Sequence, residues 1–330
     1  MRGAIILAGG AGRRFRSAGG AVDKALFMVE GKPMLVRVAE SVKEVVDEVV
    51  VAVDSETKAK NYAELVDWID VVVDEGGPRG PLRGIRTGLR KLTADSCLVV
   101  PCDSPFLKPL VLDKLLRKVE EGFEGVLPLW PNGKHEPLLA AYRREEALKL
   151  SEALARVDRS RTDDLIRAGL TTFFLSVPLE VKPLDPELKS FININRPSDL
   201  HAPPPWVEEE KESFAIKPQL SSSEVVRIVS KAVDAGLPTI ADEAGNLFWS
   251  ALTRVYVARL REDQKMLVEA SNLFKKEGEE YLRRGLKLFY ARALVDASAC
   301  LRKVDDDKAE ELLNEALKVY RELKVASKAA

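Results

Sequence analysis

Gly9, Gly10 and Gly12 follow a short apolar run that begins at Ala4, and Arg13, Arg14 and Arg16 come directly after them, with Asp23-Lys24 closing the stretch. Glycines let backbone N–H groups turn towards an anion with no Cβ in the way, and cationic side chains neutralise what the backbone holds. The order therefore suits a loop that holds phosphate. Two other phosphate loops do not fit. A dinucleotide fingerprint running from Gly10 and Gly12 needs a small third residue, and Phe15 stands there. A Walker loop needs Gly-Lys followed by Ser or Thr, whereas Lys24 lies between Asp23 and Ala25.

Asp54, Asp74 and Asp103 each end a Val-rich run. On a parallel sheet, ligands sit beyond the carboxyl ends of the strands, so these three acids are expected to rim one crevice with the glycine loop. Taken singly, Asp54 is equally a helix cap, and Asp74 and Asp103 are equally turn residues. Their joint placement favours a site. Asp103, in VVPCDSPFL, is fixed between an apolar strand and Pro105. A hard oxygen ligand at that point suits Mg2+ held against nucleotide phosphates.

Further candidates lie downstream. GGPRGPLRGIRTGL, from Gly76 to Leu89, is a second glycine-rich segment. Gly84 and Gly88 fall on one helical face, where tight packing would want them. Arg79 and Arg83 either reach phosphates or are solvated at a helix start. His135 beside Glu136 is a candidate contact to an acceptor, although an ionised phosphate acceptor needs no general base. In FININRPSDL, Asn193 and Asn195 share one side of an extended segment and either bind a ligand or satisfy a turn.

The elements that must position these residues alternate. Glu48 to Asp54, DVVVDE, SCLVVPCD and EGVLPLW read as strands between amphipathic helical stretches. This pattern predicts an α/β fold with a mostly parallel sheet covered on both faces. Asn132-Gly133 is a hairpin signal between EGVLPLW and PLLAAYR and predicts an antiparallel excursion. TTFFLSV reads as a further strand, and RTDDLIRAG as a short helix.

The chain has 330 residues, enough for two domains that each bury a core. A net charge of −1 gives no global reason to expect a nucleic acid or membrane partner. Cys97, Cys102 and Cys300 show no C-x-x-C spacing and read as small buried hydrophobes in a reducing compartment. No window is long and apolar enough to span a bilayer, and the expected location is cytoplasmic.

LAGGAGRRF with DKAL, GPLRGIRTGL, PCDSPFL, EPLLAAYR and NINRPSDL, in this order, resemble molybdenum cofactor guanylyltransferase over about residues 1 to 202. The resemblance implies a Rossmann-like nucleotidyltransferase fold that binds GTP and Mg2+. It implies transfer of GMP to the terminal phosphate of molybdenum-bound molybdopterin, with release of pyrophosphate. Carried onto matching positions, it implies that Leu7, Ala8 and Gly9 line the nucleotide site, with Gly10 and Gly12 continuing the loop. It implies likewise that Lys24 contacts phosphates, that Asp74 helps recognise the nucleotide and that Asp103 binds Mg2+. Asn193 and Asn195 match an element near the acceptor, and Asp54 is a looser positional match. Lys24, Arg13 and Asp103 form the expected catalytic set. The first loop departs from the family: RSAGGAV lengthens it, and Gly12 stands where Ser is common. A cobinamide-phosphate guanylyltransferase, a molybdopterin cytidylyltransferase and a non-catalytic nucleotide-binding adaptor remain as alternatives.

Residues 203–216 combine prolines with acids and read as a linker, and residues 217–330 read as a helical bundle. SSSEVVRIVSKAVDAGLP carries serine caps and a Gly-then-Pro stop. Longer helical stretches are expected over Ile240 to Leu260, Asp263 to Lys303 and Asp307 to Lys324. This tail loosely resembles helical domains of unknown function in archaeal proteins. Its aromatics Phe248, Trp249, Phe274, Tyr281, Phe289 and Tyr290 read as core, and its expected role is docking a protein partner or self-association.

Overall fold

The computed structural model describes residues 1–10, 12, 15, 17, 23–203, 205, 207 and 209–325, the last two without their side chains. A central sheet has eight strands, in the order Phe214–Ile216, Thr172–Ser176, Gly125–Leu129, Ala140–Arg143, Ser96–Pro101, Arg2–Leu7, Glu48–Val53 and Asp70–Val73. Strands β1 (Arg2–Leu7), β4 (Glu48–Val53), β5 (Asp70–Val73) and β6 (Ser96–Pro101) pair in parallel, as their apolar runs between helical stretches predict. Strand β7 (Gly125–Leu129) returns as antiparallel β8 (Ala140–Arg143), which slots between β7 and β6. This is the excursion that Asn132-Gly133 signals. Strand β9 (Thr172–Ser176) pairs with β7 in parallel, and β10 (Phe214–Ile216) closes the edge antiparallel to β9. Strands β2 (Met28–Val29) and β3 (Lys32–Pro33) form a separate hairpin.

Side-chain alternation along β1 sorts the two layers. Ala4 and Ile6 join one buried cluster, and Ile5 joins the other. Helices α1 (Met34–Lys43), α2 (Glu56–Ala63) and α4 (Pro109–Glu120) cover the first face. Helices α3 (Pro81–Lys91) and α5 (Arg144–Arg156) cover the second, followed by the short α6 (Asp164–Arg167).

The tail forms α7 (Ser222–Ala235), α8 (Leu247–Arg261), α9 (Gln264–Arg283), α10 (Lys287–Leu301) and α11 (Asp306–Val325). Helix α7 has the start and stop its sequence spells out: Ser221 and Glu224 make a capping box, and Gly236 ends the helix at φ 63°. Three expectations are corrected here. The stretch Asp263 to Lys303 is two helices, because Gly285 turns the chain at φ +71°. The last part of the segment read as a linker is strand β10, where Phe214 stacks on Phe174 of β9 at 5.2 Å between ring centroids. The two halves also do not keep separate cores. Phe248, Trp249, Phe274 and Phe289 of the tail belong to the same buried cluster as Ile5, Val99, Leu127 and Phe174 of the sheet. Among the described residues no helix is long and apolar enough to cross a membrane.

Candidate active site

A cleft of about 1060 Å3 opens beyond the carboxyl ends of the parallel strands. Leu7, Ala8, Gly9, Gly10 and Gly12 line it, with Lys24, Asp54, Asp74, Asp103, Asn193 and Asn195. The structure thus brings the candidates from separate segments to one place. Arg13, Arg14 and Arg16 lie outside the described residues.

Backbone pairing explains the placement. Leu7 at the end of β1 accepts from the Cys102 N–H, and the Ala8 N–H donates to Ala52 O, so the glycine loop starts between β6 and β4. Gly9 passes close to its neighbours: a Cβ there would lie 3.2 Å from Asp54 N and 3.5 Å from Asp74 Oδ2. Lys24 opens a short 3-10 turn that the Asp23 side chain caps by accepting from Ala25 N. From this turn Lys24 Nζ donates to Asp103 and, at 2.8 Å, to Asn195 Oδ1. The Ile194 N–H donates to Asp103 O at 2.9 Å, and Ser104 Oγ donates to Asn193 Oδ1 at 2.7 Å. The two amides therefore lock onto the β6 turn and the lysine.

Asp54 pairs with Lys58 at 2.9 Å, and the same ammonium donates to Gly10 O. Asp74 is the more exacting group. Its Oδ2 meets Arg83 Nε at 3.3 Å, whereas its Oδ1 is buried without a hydrogen-bond partner among the described residues. Burial raises the Asp74 pKa, and the Arg83 charge opposes that only in part. A buried acceptor without a donor is costly, and a ligand N–H directed at it would remove the cost. Gly84 leaves the room, since a Cβ there would lie 3.2 Å from Asp74 Oδ1.

Asp103 offers hard carboxylate oxygen beside the glycine loop, and Mg2+ needs only one or two carboxylates when phosphates and water complete its shell. Among the described residues no group of three or more His, Cys, Asp or Glu side chains is arranged to hold a metal. The donor set fits a phosphate-shared Mg2+, not a protein-caged one.

His135 is corrected. It is wholly buried away from the cleft, stacked on Phe289 of α10 at 4.1 Å between ring centroids. Glu136, next to it, does line the cleft, its carboxylate held by Trp130 Nε1 at 2.8 Å and Lys134 Nζ at 2.7 Å. Arg79 and Arg83 both line the cleft. Ser104, Leu138 and Phe191 also line it and were not expected. For Ser104 the available signal was its position next to Asp103; Leu138 and Phe191 carry none that sets them apart from core residues. Cys102 is half-buried, packed against the core on one side and part of the cleft wall on the other.

Residues 4–168 match the MobA-like NTP transferase domain family. The chain belongs to this family. A probable molybdenum cofactor guanylyltransferase of Methanosarcina mazei is 35% identical over 205 residues, which are 61% of this chain and 88% of that protein. The molybdenum cofactor guanylyltransferase of Desulfosudis oleivorans is 33% identical over 59% of this chain and 91% of its own length. Among solved structures, the molybdopterin-guanine dinucleotide biosynthesis protein A of Archaeoglobus fulgidus superposes with a TM-score of 0.51 at 29% identity. It covers 61% of this chain and 95% of its own.

Proposed function

We propose that this chain transfers GMP from GTP to the terminal phosphate of a molybdenum-bound molybdopterin and releases pyrophosphate. The observation that carries the reading is the Lys24–Asp103–Asn195 constellation, assembled from three distant segments at the mouth of the glycine loop. The names and similarity of the relatives support the substrates. All the machinery of this reading falls within residues 1–202.

In this reading the loop from Leu7 to Gly12 carries the nucleotide, and the unpaired Asp74 Oδ1 accepts from its base. An acceptor phosphate oxygen attacks the α-phosphorus in line. The new P–O bond forms as the bond to the bridging oxygen breaks, and the electron pair leaves with pyrophosphate. The barrier is positioning plus repulsion between anions, so the Lys24 ammonium lowers it by sitting where negative charge accumulates. Asp103 would hold Mg2+, which supplies further charge neutralisation on the phosphates when bound. Asn195 fixes the lysine, and Asn193 fixes the Asp103 turn through Ser104. No covalent enzyme intermediate is required.

Calorimetric titration with GTP, CTP and ATP in Mg2+, followed by a pyrophosphate-release assay with molybdopterin, tests the reading. GTP-selective binding with turnover supports it. Preference for CTP moves the assignment to a cytidylyltransferase, and binding without pyrophosphate release from any acceptor leaves an adaptor.

A further inference from the structure

Helix α3 begins at the cleft with no side-chain cap: Gly80 stands at its N-cap, and Pro81 has no N–H to offer. The first free donor, the Leu82 N–H, is taken by Ser160 O at 3.1 Å. The cap of this helix is therefore delivered by a distant segment of the chain. Contact is close enough that a Cβ on Gly80 would lie 2.5 Å from Ser160 O. Arg79, Gly80, Pro81, Arg83 and Gly84, all around this helix start, line the nucleotide cleft.

Ser160 in turn is held by its neighbour. The Arg159 guanidinium forks onto Asp164, with both bonds at 2.8 Å, and onto Asp296 of α10 at 2.9 and 3.0 Å. Asp296 also accepts from Arg167 Nη1 at 2.7 Å, and Arg167 forks onto Glu277 of α9 at 2.8 and 2.7 Å. Arg292 of α10 adds a bond to Asp163 at 2.9 Å. Arg167, Asp164, Asp163, Asp296 and Glu277 are buried. Paired forks of this kind fix direction as well as distance. Residues 159–167 are thus clamped from the tail side by three charged residues and present the Ser160 carbonyl to the helix start on the other.

We propose that Asp296 and Arg159 are positioning residues for the nucleotide site, the tail setting through Ser160 O the start of α3 on which Arg79 and Arg83 stand. The inference rests on GTP being the ligand of the cleft, as proposed above. It gives the helical tail a part in substrate affinity, a part that a simple cover for the sheet would not have.

The test titrates GTP with Mg2+ into the full-length chain as wild type, Asp296→Asn, Asp296→Glu, Gly80→Ala and the Asp296→Asn/Gly80→Ala double variant. Wild type that binds no GTP overturns the proposed function itself. Given wild-type binding, Asp296→Asn is expected to weaken GTP on the order of tenfold, a usual size for coupling through a packed network. Asp296→Glu restores part of the loss. Gly80→Ala breaks the same contact from the cleft side, so the double variant should lose far less than the product of the two. Unchanged GTP affinity in folded Asp296→Asn, or losses that multiply fully, overturns the inference and leaves the function standing. A second readout on wild type covers an unfolded Asp296→Asn: by reciprocity, GTP should slow amide hydrogen exchange over residues 277–296. Exchange there that GTP does not change overturns the proposal equally.

Discussion

Lys24 is the residue whose removal separates chemistry from binding. Its side chain is 15% exposed and its ammonium is held by one carboxylate and one amide, so it is aligned before substrate arrives. Loss of a preorganised donor of this kind costs about 3 kcal/mol of activation free energy, roughly a hundredfold in rate. Lys24→Ala is expected to lower kcat by that factor in the pyrophosphate assay while the melting temperature stays close to wild type. A second residue-scale prediction concerns His135. Burial pushes its pKa down from 6.5 to about 4; Asp163 pulls the other way, while Arg292 and Lys134 add to the depression. The unfolded chain therefore binds a proton at a pH where the native chain does not. Stability is full above about pH 6.5 and falls as pH drops towards 4, by up to about 3 kcal/mol in total. Urea unfolding at a series of pH values should show this slope, and His135→Phe, which keeps a ring against Phe289, should remove its share. The meeting of the glycines, Lys24 and the strand-end acids in one cleft was legible, because on a parallel sheet residues just past the strand ends face one crevice. His135 was not, because a sequence does not say which element will later close over a hairpin.

Gly88 and Gly10 show how differently two glycines serve their elements. Inside α3, a Cβ at Gly88 would lie 2.7 Å from Ile5 Cγ1 and Cγ2, so the helix rests on β1 through a missing side chain. Ala gains about 1 kcal/mol of helix propensity over Gly, and overpacking costs about 1–3 kcal/mol. Gly88→Ala is expected to lower stability by up to about 2 kcal/mol on that balance, seen as a shifted denaturant midpoint with unchanged slope. Gly10 has no atom within 4 Å of where its Cβ would be. Gly10→Ala should leave the midpoint in place and weaken GTP binding instead. Strand-helix alternation, the Asn132-Gly133 hairpin and the caps of α7 were all readable, since each depends on residues close in sequence. Strand order and the pairing of β10 with β9 were not. Phe214–Ile216 looked like part of a linker because three residues carry no periodicity, and only the exposed edge of β9 makes them a strand.

The molecule as a whole is joined through one shared core and one buried charge cluster, and that has a consequence for how it unfolds. The relatives at about 200 matched residues show that the nucleotidyltransferase fold does not in general need a helical tail. In this chain, however, the sheet face under the tail carries Leu127, Leu129 and Phe174 packed with Phe289 and Leu294, and Gly133 at the hairpin tip sits against the turn at Gly285. Cutting after Ile216 would expose that face. It would also leave Asp163, Asp164, Arg159 and Arg167 without Arg292, Asp296 and Glu277. Breaking a buried ion pair by removing one partner costs about 3–5 kcal/mol, against a total stability of roughly 5–15 kcal/mol for a typical domain. Apolar exposure adds to that loss. Residues 1–216 alone are therefore expected to lack a cooperative melting transition and to bind a hydrophobic dye, whereas the full chain melts in a single transition. Calorimetry of both decides it: two separate transitions in the full chain, or a sharply melting 1–216 fragment, would mean that the tail is an appendage and that the shared core contributes little.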